Sequence, residues 1–397
     1  MLRFLTAGES HGPALVGIVE GLPAGVPLTQ DDLDVQLARR WQGFGRGGRA
    51  KFEADHAEVV SGLRFGRTTG APVALRIENA AHARDRSGWP EVLAPFGTGE
   101  GVEKVTLPRP GHADLPGVQK YGFDDVRPVI ERASARETAM RVACGSLARA
   151  LLRGVGIEVG SHVVALGNAG YEDGWEAVLS PLVAQGAEAL ARAADQSEVR
   201  MLDPDVSARA IEAVKQAKAD GDTLGGVYEV VATGVPAGLG SYVQWDRRLD
   251  GLLAQSILSI QAQKAVEVGD GVLGAALPGS RVHDPIVQDA DRGFSRASNH
   301  AGGIEGGMTN GMPVVVRGYM KPIPTLIRPL MTVDLASGEA VPTRYERSDV
   351  TSVPAAAVVA EAAVCWTLAG AVLERFGGDR YDWLVAQVQA ARVAAGR

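Results

Sequence analysis

Fifty glycines, about one residue in eight, constrain this chain more than any other feature of its sequence. The share is well above the roughly 7% of an average protein, yet these glycines are not low-complexity filler. They cluster in short polar loops between apolar runs, as at Gly8–Gly12, Gly43–Gly48 and Gly302–Gly307. Loops of that kind let a backbone approach a ligand closely or adopt positive φ. Strand-like runs flank many of them: Leu2–Leu5 and Ala14–Val19, then segments near Glu58–Ser61 and Pro72–Ile77, and later Ile157–Leu166, Val227–Thr233 and Pro313–Val316. Strands in pairs, rather than in strict β-α-β-α alternation, predict an α+β fold over a doubly wound sheet.

Helical signals fill the remainder. Thr29-x-x-Asp32 reads as a capping box opening a helix to about Gln42. A strong helical pattern covers Ala135–Leu152. A variable helical segment occupies 186–220, with Asp205 expected to cap its second helix. Asp246 is expected to cap a helix from Arg248 to about Ala262, and the C-terminal region reads as helical from about Pro354. Asn79–Gly122, polar and rich in Gly and Pro, is too long for a passive connection and reads as functional loops. With no linker and no repeat of fixed period, one domain over 1–397 is expected.

Composition narrows the class. The chain is 46% hydrophobic and 22% charged, enough apolar residues for a large core. A net charge of -7 offers no general attraction for nucleic acid or an anionic membrane, so any basic site must be local. Cys144 and Cys365 sit in Ala/Val-rich helical patterns and read as buried small hydrophobes, with no disulfide framework. That usage suits a reducing, cytoplasmic setting. Polar residues arrive too early at the N-terminus for a signal peptide. The apolar stretch Pro354–Leu373, interrupted by Glu361, reads as a buried helix rather than a membrane span.

Two familiar motifs mislead. Gly8-Glu9-Ser10-His11-Gly12 matches G-x-S-x-G, but a strand follows it where the hydrolase elbow needs a helix. Gly43-Phe44-Gly45-Arg46-Gly47-Gly48 matches G-x-G-x-x-G, but a helix precedes it where a dinucleotide site needs a strand. Cations are what that second loop offers: Arg39, Arg40, Arg46, Arg49 and Lys51, with glycines leaving room for backbone amides. The arrangement suits a phosphate or carboxylate clamp.

A second basic cluster, Arg132-Ala133-Ser134-Ala135-Arg136, lies at the expected start of the Ala135 helix, where free amides favour an anion. His11, His112 and His300 each occupy a Gly-bounded polar loop, which suits acid-base work near neutral pH. No His/Asp/Glu set has metal-ligand spacing, so no metal is expected. His56, His82, His162 and His283 read as spectators. Lys321-Pro322-Ile323-Pro324-Thr325 is a stiff loop offering a cation and a hydroxyl, and Arg347-Ser348-Asp349 precedes the last long helix.

Three segments together, GESHGPALVGIVEGLP at 8–23, ERASARETAMRVACGSL at 131–147 and RSDVTSVPAAAVVAEA at 347–362, resemble the signatures of the chorismate synthase family in order and separation. GFGRGGR at 43–49, RPGHAD at 109–114, SIQAQKAVEVGDG at 259–271, SNHAGGIEGG at 298–307 and KPIPT at 321–325 extend the match over nearly the whole chain. The resemblance implies conversion of 5-enolpyruvylshikimate 3-phosphate to chorismate and phosphate, the last step of the shikimate pathway. It also implies dependence on reduced FMN without net redox change, a β-α-β sandwich of antiparallel sheets around central helices, and a homotetramer. By position it assigns flavin contacts to Arg132, Ala133, Ser134, Gln261, Ala262, Gly306, Lys321, Pro322, Ile323, Pro324, Thr325 and Arg347. Substrate or anion contacts fall to Ser10, Arg40, Arg46, Arg49 and Arg136, and proton-transfer roles to His11, His112 and Asp349. No nicotinamide fold is visible, so an external reductant is expected to supply the reduced flavin. One departure is local: many members carry a Gly-rich run where this chain has Asp124–Glu131. A flavin-dependent oxidoreductase on the same scaffold and a phosphate-ligand binding module without chemistry are the rival readings.

Overall fold

The computed structural model describes residues 1–45, 54–82, 88–171, 176–289, 293–343 and 349–395. The first apolar runs form β1 (Arg3–Ala7) and β2 (Ala14–Glu20), paired antiparallel with Arg3 opposite Glu20 and Ala7 opposite Val16. With β3 (Ala57–Ser61) and β4 (Val73–Glu78) they make a four-stranded antiparallel sheet in the order β1-β2-β4-β3. Period-two alternation sorts its faces. Leu15, Val19, Leu75 and Ile77 are buried, whereas Leu5, Val16 and Ile18 are exposed on the other side.

Helix α1 (Gln30–Trp41) begins at the expected capping box, in which Thr29 N–H donates to Asp32 at 2.8 Å and Asp32 N–H donates to Thr29 Oγ1 at 3.3 Å. After a short helical turn at Trp89–Val92 come α2 (Asp114–Tyr121), α3 (Arg127–Ala133) and α4 (Thr138–Gly154). The presence of α2 corrects the reading of 79–122 as loops alone. A second antiparallel sheet is built from β5 (Glu158–Leu166), β6 (Ala169–Gly170), β7 (Gly226–Thr233), β8 (Gln263–Val268) and β9 (Val314–Met320), in the order β8-β9-β7-β5-β6. Between β6 and β7 run α5 (Ala187–Ala194) and α6 (Pro204–Asp220). The cap of α6 is Asp203, not Asp205: Asp203 accepts from the amides of Asp205 and Val206 at 2.8 and 3.0 Å, and Pro204 fills the first helical position. Likewise α7 (Leu249–Leu258) starts at Arg248 without a side-chain cap and stops before Ala262, while Asp246 lies in the preceding 3-10 turn.

The last long helix, α8 (Val353–Phe376), packs against β5 and β7, while α4 packs against β2 and β4; α4 and α8 lie against one another with α1 alongside both. Sheet, helices, sheet is the expected sandwich. Two glycines set its spacing. A Cβ at Gly17 would stand 2.5 Å from Met140 Sδ, and one at Gly145 would stand 2.5 Å from Ala362 Cβ. By length and apolarity α8 could span a membrane, but 72% of its most apolar window is buried inside the protein. It is the core helix.

Glu361, the break in that apolar stretch, is fully buried at the centre of the sandwich. Its carboxylate accepts from Arg39 (2.7 and 2.8 Å), Arg149 (2.6 Å), Ser161 Oγ (2.6 Å) and Arg200 (3.3 Å). One side chain thereby ties α8 to α1, α4, β5 and the segment before α6. Burial alone would raise its pKa, but the charges of Arg39 and Arg149 override that and hold it at about 2. Arg200 is pushed down to about 9 by burial and by repulsion from Arg39.

Candidate functional site

Loop 8–13, between β1 and β2, is fixed from two sides. From the end of β4, Asn79 Nδ2 donates to the carbonyls of Glu9 (3.1 Å) and Gly12 (2.8 Å). From α3, Glu131 holds the loop three times. Its carbonyl accepts from Ser10 N–H at 3.1 Å, its carboxylate accepts from His11 N–H at 2.8 Å, and that carboxylate lies 3.0 and 3.2 Å from His11 Nδ1. The imidazole stacks on Trp89 with centroids 4.0 Å apart and an interplanar angle of 19°. Ser134 Oγ donates to Ser10 Oγ at 3.2 Å, and Arg132 donates to the carbonyl and hydroxyl of Thr6, both at 2.9 Å. Burial raises the pKa of Glu131, but the hydrogen bond and charge of His11 and the charge of Arg127 outweigh it, so the net shift is downward. Ser10 is buried in this clamp, which agrees with its loss of any nucleophile-elbow role.

The second basic cluster differs from its sequence reading. Arg132 lies in the last turn of α3, and Arg136 in a 3-10 turn (Ala135–Glu137) leading into α4, with Ser134 at the break between them. They flank a helix boundary instead of crowding one helix N-terminus. Arg136 and Arg40 are both buried around one carboxylate, Asp55, at 2.5 and 3.5 Å. Trp41 Nε1 also donates to Asp55 at 2.7 Å. Arg40 reaches Thr138 Oγ1 and the Ala135 carbonyl, and Arg136 Nε reaches Asn79 Oδ1. Arg136 Nη2 is buried without a hydrogen-bond partner among the described residues. Two guanidiniums meet at this carboxylate, and the unpartnered Arg136 Nη2 offers a donor to an anion. Arg46, Arg49 and Arg347 lie outside the described residues.

Glu137 carries the site across to the second sheet. It accepts from Thr6 Oγ1 (2.9 Å), Arg141 (3.0 Å) and Gln261 Nε2 (3.2 Å). Ala262 adopts φ +65°, and its carbonyl accepts from Lys321 N–H at 3.0 Å. The Lys321 ammonium donates to the Gly111 carbonyl, beside His112. Burial and the charge of Lys264 lower the pKa of Lys321. Gln261 Oε1 is buried with no hydrogen-bond partner among the described residues. Within the Pro322–Thr325 stretch, the Ile323 carbonyl accepts from Thr223 Oγ1 at 2.7 Å and Thr325 is buried. Leu224 N–H bonds the Val350 carbonyl and Val350 N–H bonds the Gly45 carbonyl, both at 2.9 Å. Asp349, bonded by Ser352 Oγ at 3.1 Å, therefore stands next to the start of the arginine loop.

His112 Nδ1 makes a close hydrogen-bonded contact with Asp114, which also pairs with Arg109 at 2.8 Å. Burial opposes ionisation of Asp114, but hydrogen bonds from His112 and Arg109 drive its carboxyl well below the usual range. His11, Ser10, Arg40, Arg132–Ser134, Arg136, His112, Gln261, Ala262, Lys321 and Asp349 are thus joined through a continuous set of contacts. Gly306 is not among them. Gly307 O accepts from the first amide of α7, whereas Gln261 follows the other end of that helix, about 15 Å away. His300 pairs with Asp270 at 2.8 Å, beyond the far end of β8 from Ala262.

The chain matches the family model described as chorismate synthase over residues 2–373. The chain belongs to the chorismate synthase family. The chorismate synthase of Salinibacter ruber is 59% identical over 401 residues, covering 99% of each chain. That of Chlorobaculum tepidum is 56% identical over 395 residues, covering 99% of this chain and 98% of the relative. A crystal structure of a chorismate synthase aligns with a TM-score of 0.79 at 39% identity, covering 100% of this chain and 98% of that one. The expected α+β sandwich is therefore the fold of the family.

Reading for cations and histidines passed over the groups that hold them. Glu131 and Glu137 lie inside the family segment at 131–147, and Asp114 closes the RPGHAD segment, yet no spacing rule connects them to residues 11, 261 or 112. Trp89 and Asp55 carried no local signal. His82, read as a spectator, has Nδ1 only 2.9 Å from the His11 carbonyl. His162 does stand apart, fully buried in a row across the second sheet that continues through Glu229, Arg317 and Glu267.

Proposed function

We propose that this protein is a chorismate synthase, removing phosphate and a hydrogen from 5-enolpyruvylshikimate 3-phosphate by 1,4-elimination to give chorismate, with reduced FMN as cofactor. The observation that carries the reading is that α3 brings Glu131 to His11 and runs directly into the turn bearing buried Arg136, which shares Asp55 with buried Arg40, while Lys321 ties the loop of His112 to Ala262. The donor set suits the cofactor. Lys321 and Arg132 can take a phosphate, and the buried Gln261 Oε1 and Arg136 Nη2 offer polar atoms to a ring edge or an anion. Ala133, Ser134, Ala262 and Pro322–Thr325 would line it, with Arg347 and Gly306 assigned by family position only.

When bound, reduced FMN supplies electron density to the substrate ring as phosphate departs and recovers it as the hydrogen leaves. The chain's own residues do the remaining work. Arg40 and Arg136, with Arg46 and Arg49, hold phosphate and carboxylates and stabilise the leaving group. His112 would give a proton towards departing phosphate, His11 would exchange a proton facing the bound cofactor, and the Asp349 carboxylate would accept a proton afterwards. The sandwich works as one domain, and we place it in the cytoplasm as a homotetramer fed by an external flavin reductant.

The test is an anaerobic incubation of purified protein with 5-enolpyruvylshikimate 3-phosphate and chemically reduced FMN. Phosphate and chorismate in equal amounts, with the flavin still reduced, is the expected result. Net flavin oxidation on each turnover would instead make the protein an oxidoreductase, and binding without phosphate release would make it a ligand-binding module. In the same assay His112→Ala should lower kcat by about a hundredfold or more. Unchanged turnover would remove His112 from its role.

A further inference from the structure

We propose that Glu131 is the positioning residue for His11, fixing its neutral ring as the Nδ1–H tautomer and so assigning proton exchange with the bound ligand to Nε2. The inference rests on the proposed reading of His11 as a proton partner, but its physical content lies in the protein alone. An ionised carboxylate only accepts hydrogen bonds. With Glu131 oxygens 3.0 and 3.2 Å from Nδ1, the other tautomer would set a nitrogen lone pair against a buried anion. The carboxylate has no freedom to turn away. Its side chain is 0% exposed, the same Oε2 already accepts from His11 N–H, and the carbonyl of Glu131 holds Ser10 N–H. Stacking on Trp89 keeps the ring plane where it is.

The pairing also settles what happens when the ring gains a proton. Nδ1–H persists and a second proton arrives at Nε2, so both charge states share one orientation and no ring flip accompanies transfer. That is preorganisation in the sense that matters for proton transfer. The second pair is built differently. Asp114 divides its charge between His112 and Arg109 at 2.8 Å, whereas among the described residues the nearest arginine to Glu131, Arg127, is 3.4 Å away. His11 therefore faces the less compensated carboxylate.

The measurement is a long-range nitrogen–proton correlation spectrum of histidine-labelled, full-length, ligand-free protein at a pH where His11 is neutral. Wild type should show Nδ1 protonated and Nε2 bare. Glu131→Gln, whose amide can donate to Nδ1, should move the tautomer ratio at least tenfold towards Nε2–H. Glu131→Asp, which keeps the carboxylate, should retain Nδ1–H and decides the matter if the glutamine variant does not fold. In turnover, Glu131→Gln should reduce kcat more than it raises KM, and should add little to the loss already caused by His11→Ala. An Nε2–H ring in wild type or in a folded Glu131→Asp protein would overturn the proposal, as would an equal loss of kcat from Glu131→Gln with and without His11. Absence of chorismate formation by wild type would defeat the functional reading while leaving the tautomer result intact.

Discussion

Replacing Glu361 with glutamine keeps the side chain's volume but removes the negative charge that Arg39, Arg149 and Arg200 share. Two routes give the cost. The carboxyl is held at about 2 against an ordinary value of 4.5, which corresponds to roughly 3 kcal/mol of stability near neutral pH. Removing one partner from a buried ion pair typically costs about 3–5 kcal/mol. The glutamine amide also turns two N–H groups towards guanidinium donors. We expect a loss of about 4 kcal/mol at pH 7 by guanidinium unfolding, and a lower Tm by on the order of 5 °C for a chain of this length.

The pH dependence has a definite sign. A carboxyl whose pKa is depressed on folding stabilises above its unfolded value and loses that contribution as pH falls through the folded one. The gap between wild type and Glu361→Gln should therefore be full at pH 7 and shrink between about pH 4.5 and 2. A gap below about 1 kcal/mol at pH 7, or one that stays constant across that window, would refute the assignment of Glu361 as the charge centre of the core.

Gly145→Ala should destabilise by about 1–3 kcal/mol, because the new methyl meets Ala362 Cβ at 2.5 Å and the Ala362 carbonyl at 2.9 Å, and two helices must part. Denaturant unfolding checks it, and a neutral result would mean the helices slide apart freely. Thr29→Ala removes the reciprocal cap of α1 and should cost about 1 kcal/mol in the same experiment. A change below a few tenths would mean that packing alone sets the start of α1.

Local signals in the sequence were reliable where the physics is local. The capping box at Thr29, the paired strands and the helix after Thr138 need only neighbouring residues to form, and each is present. The cap of α6 slipped from Asp203 to Asp205 although Pro204 marked the first helical position, a clue that points one residue back. The site was legible only as a set of chemically suitable residues. What joins them is tertiary: Glu131 reaches back 120 residues to His11, and Glu137 spans 124 residues to Gln261. Periodicity carries no information at that range. Glu361 shows the same limit, since it read as a blemish in an apolar helix and its three arginines lie on other elements.

Those arginines also impose an order on assembly. Arg39, Arg149 and Arg200 emerge during synthesis long before Glu361. Until α8 docks, closing the two sheets would enclose three positive charges of which, among the described residues, only Arg39 and Arg200 have another carboxylate partner, Asp195. Early collapse around an incomplete core is therefore disfavoured by its own electrostatics. The last long helix acts as the keystone of the sandwich, and the charge it carries is what permits the rest to shut.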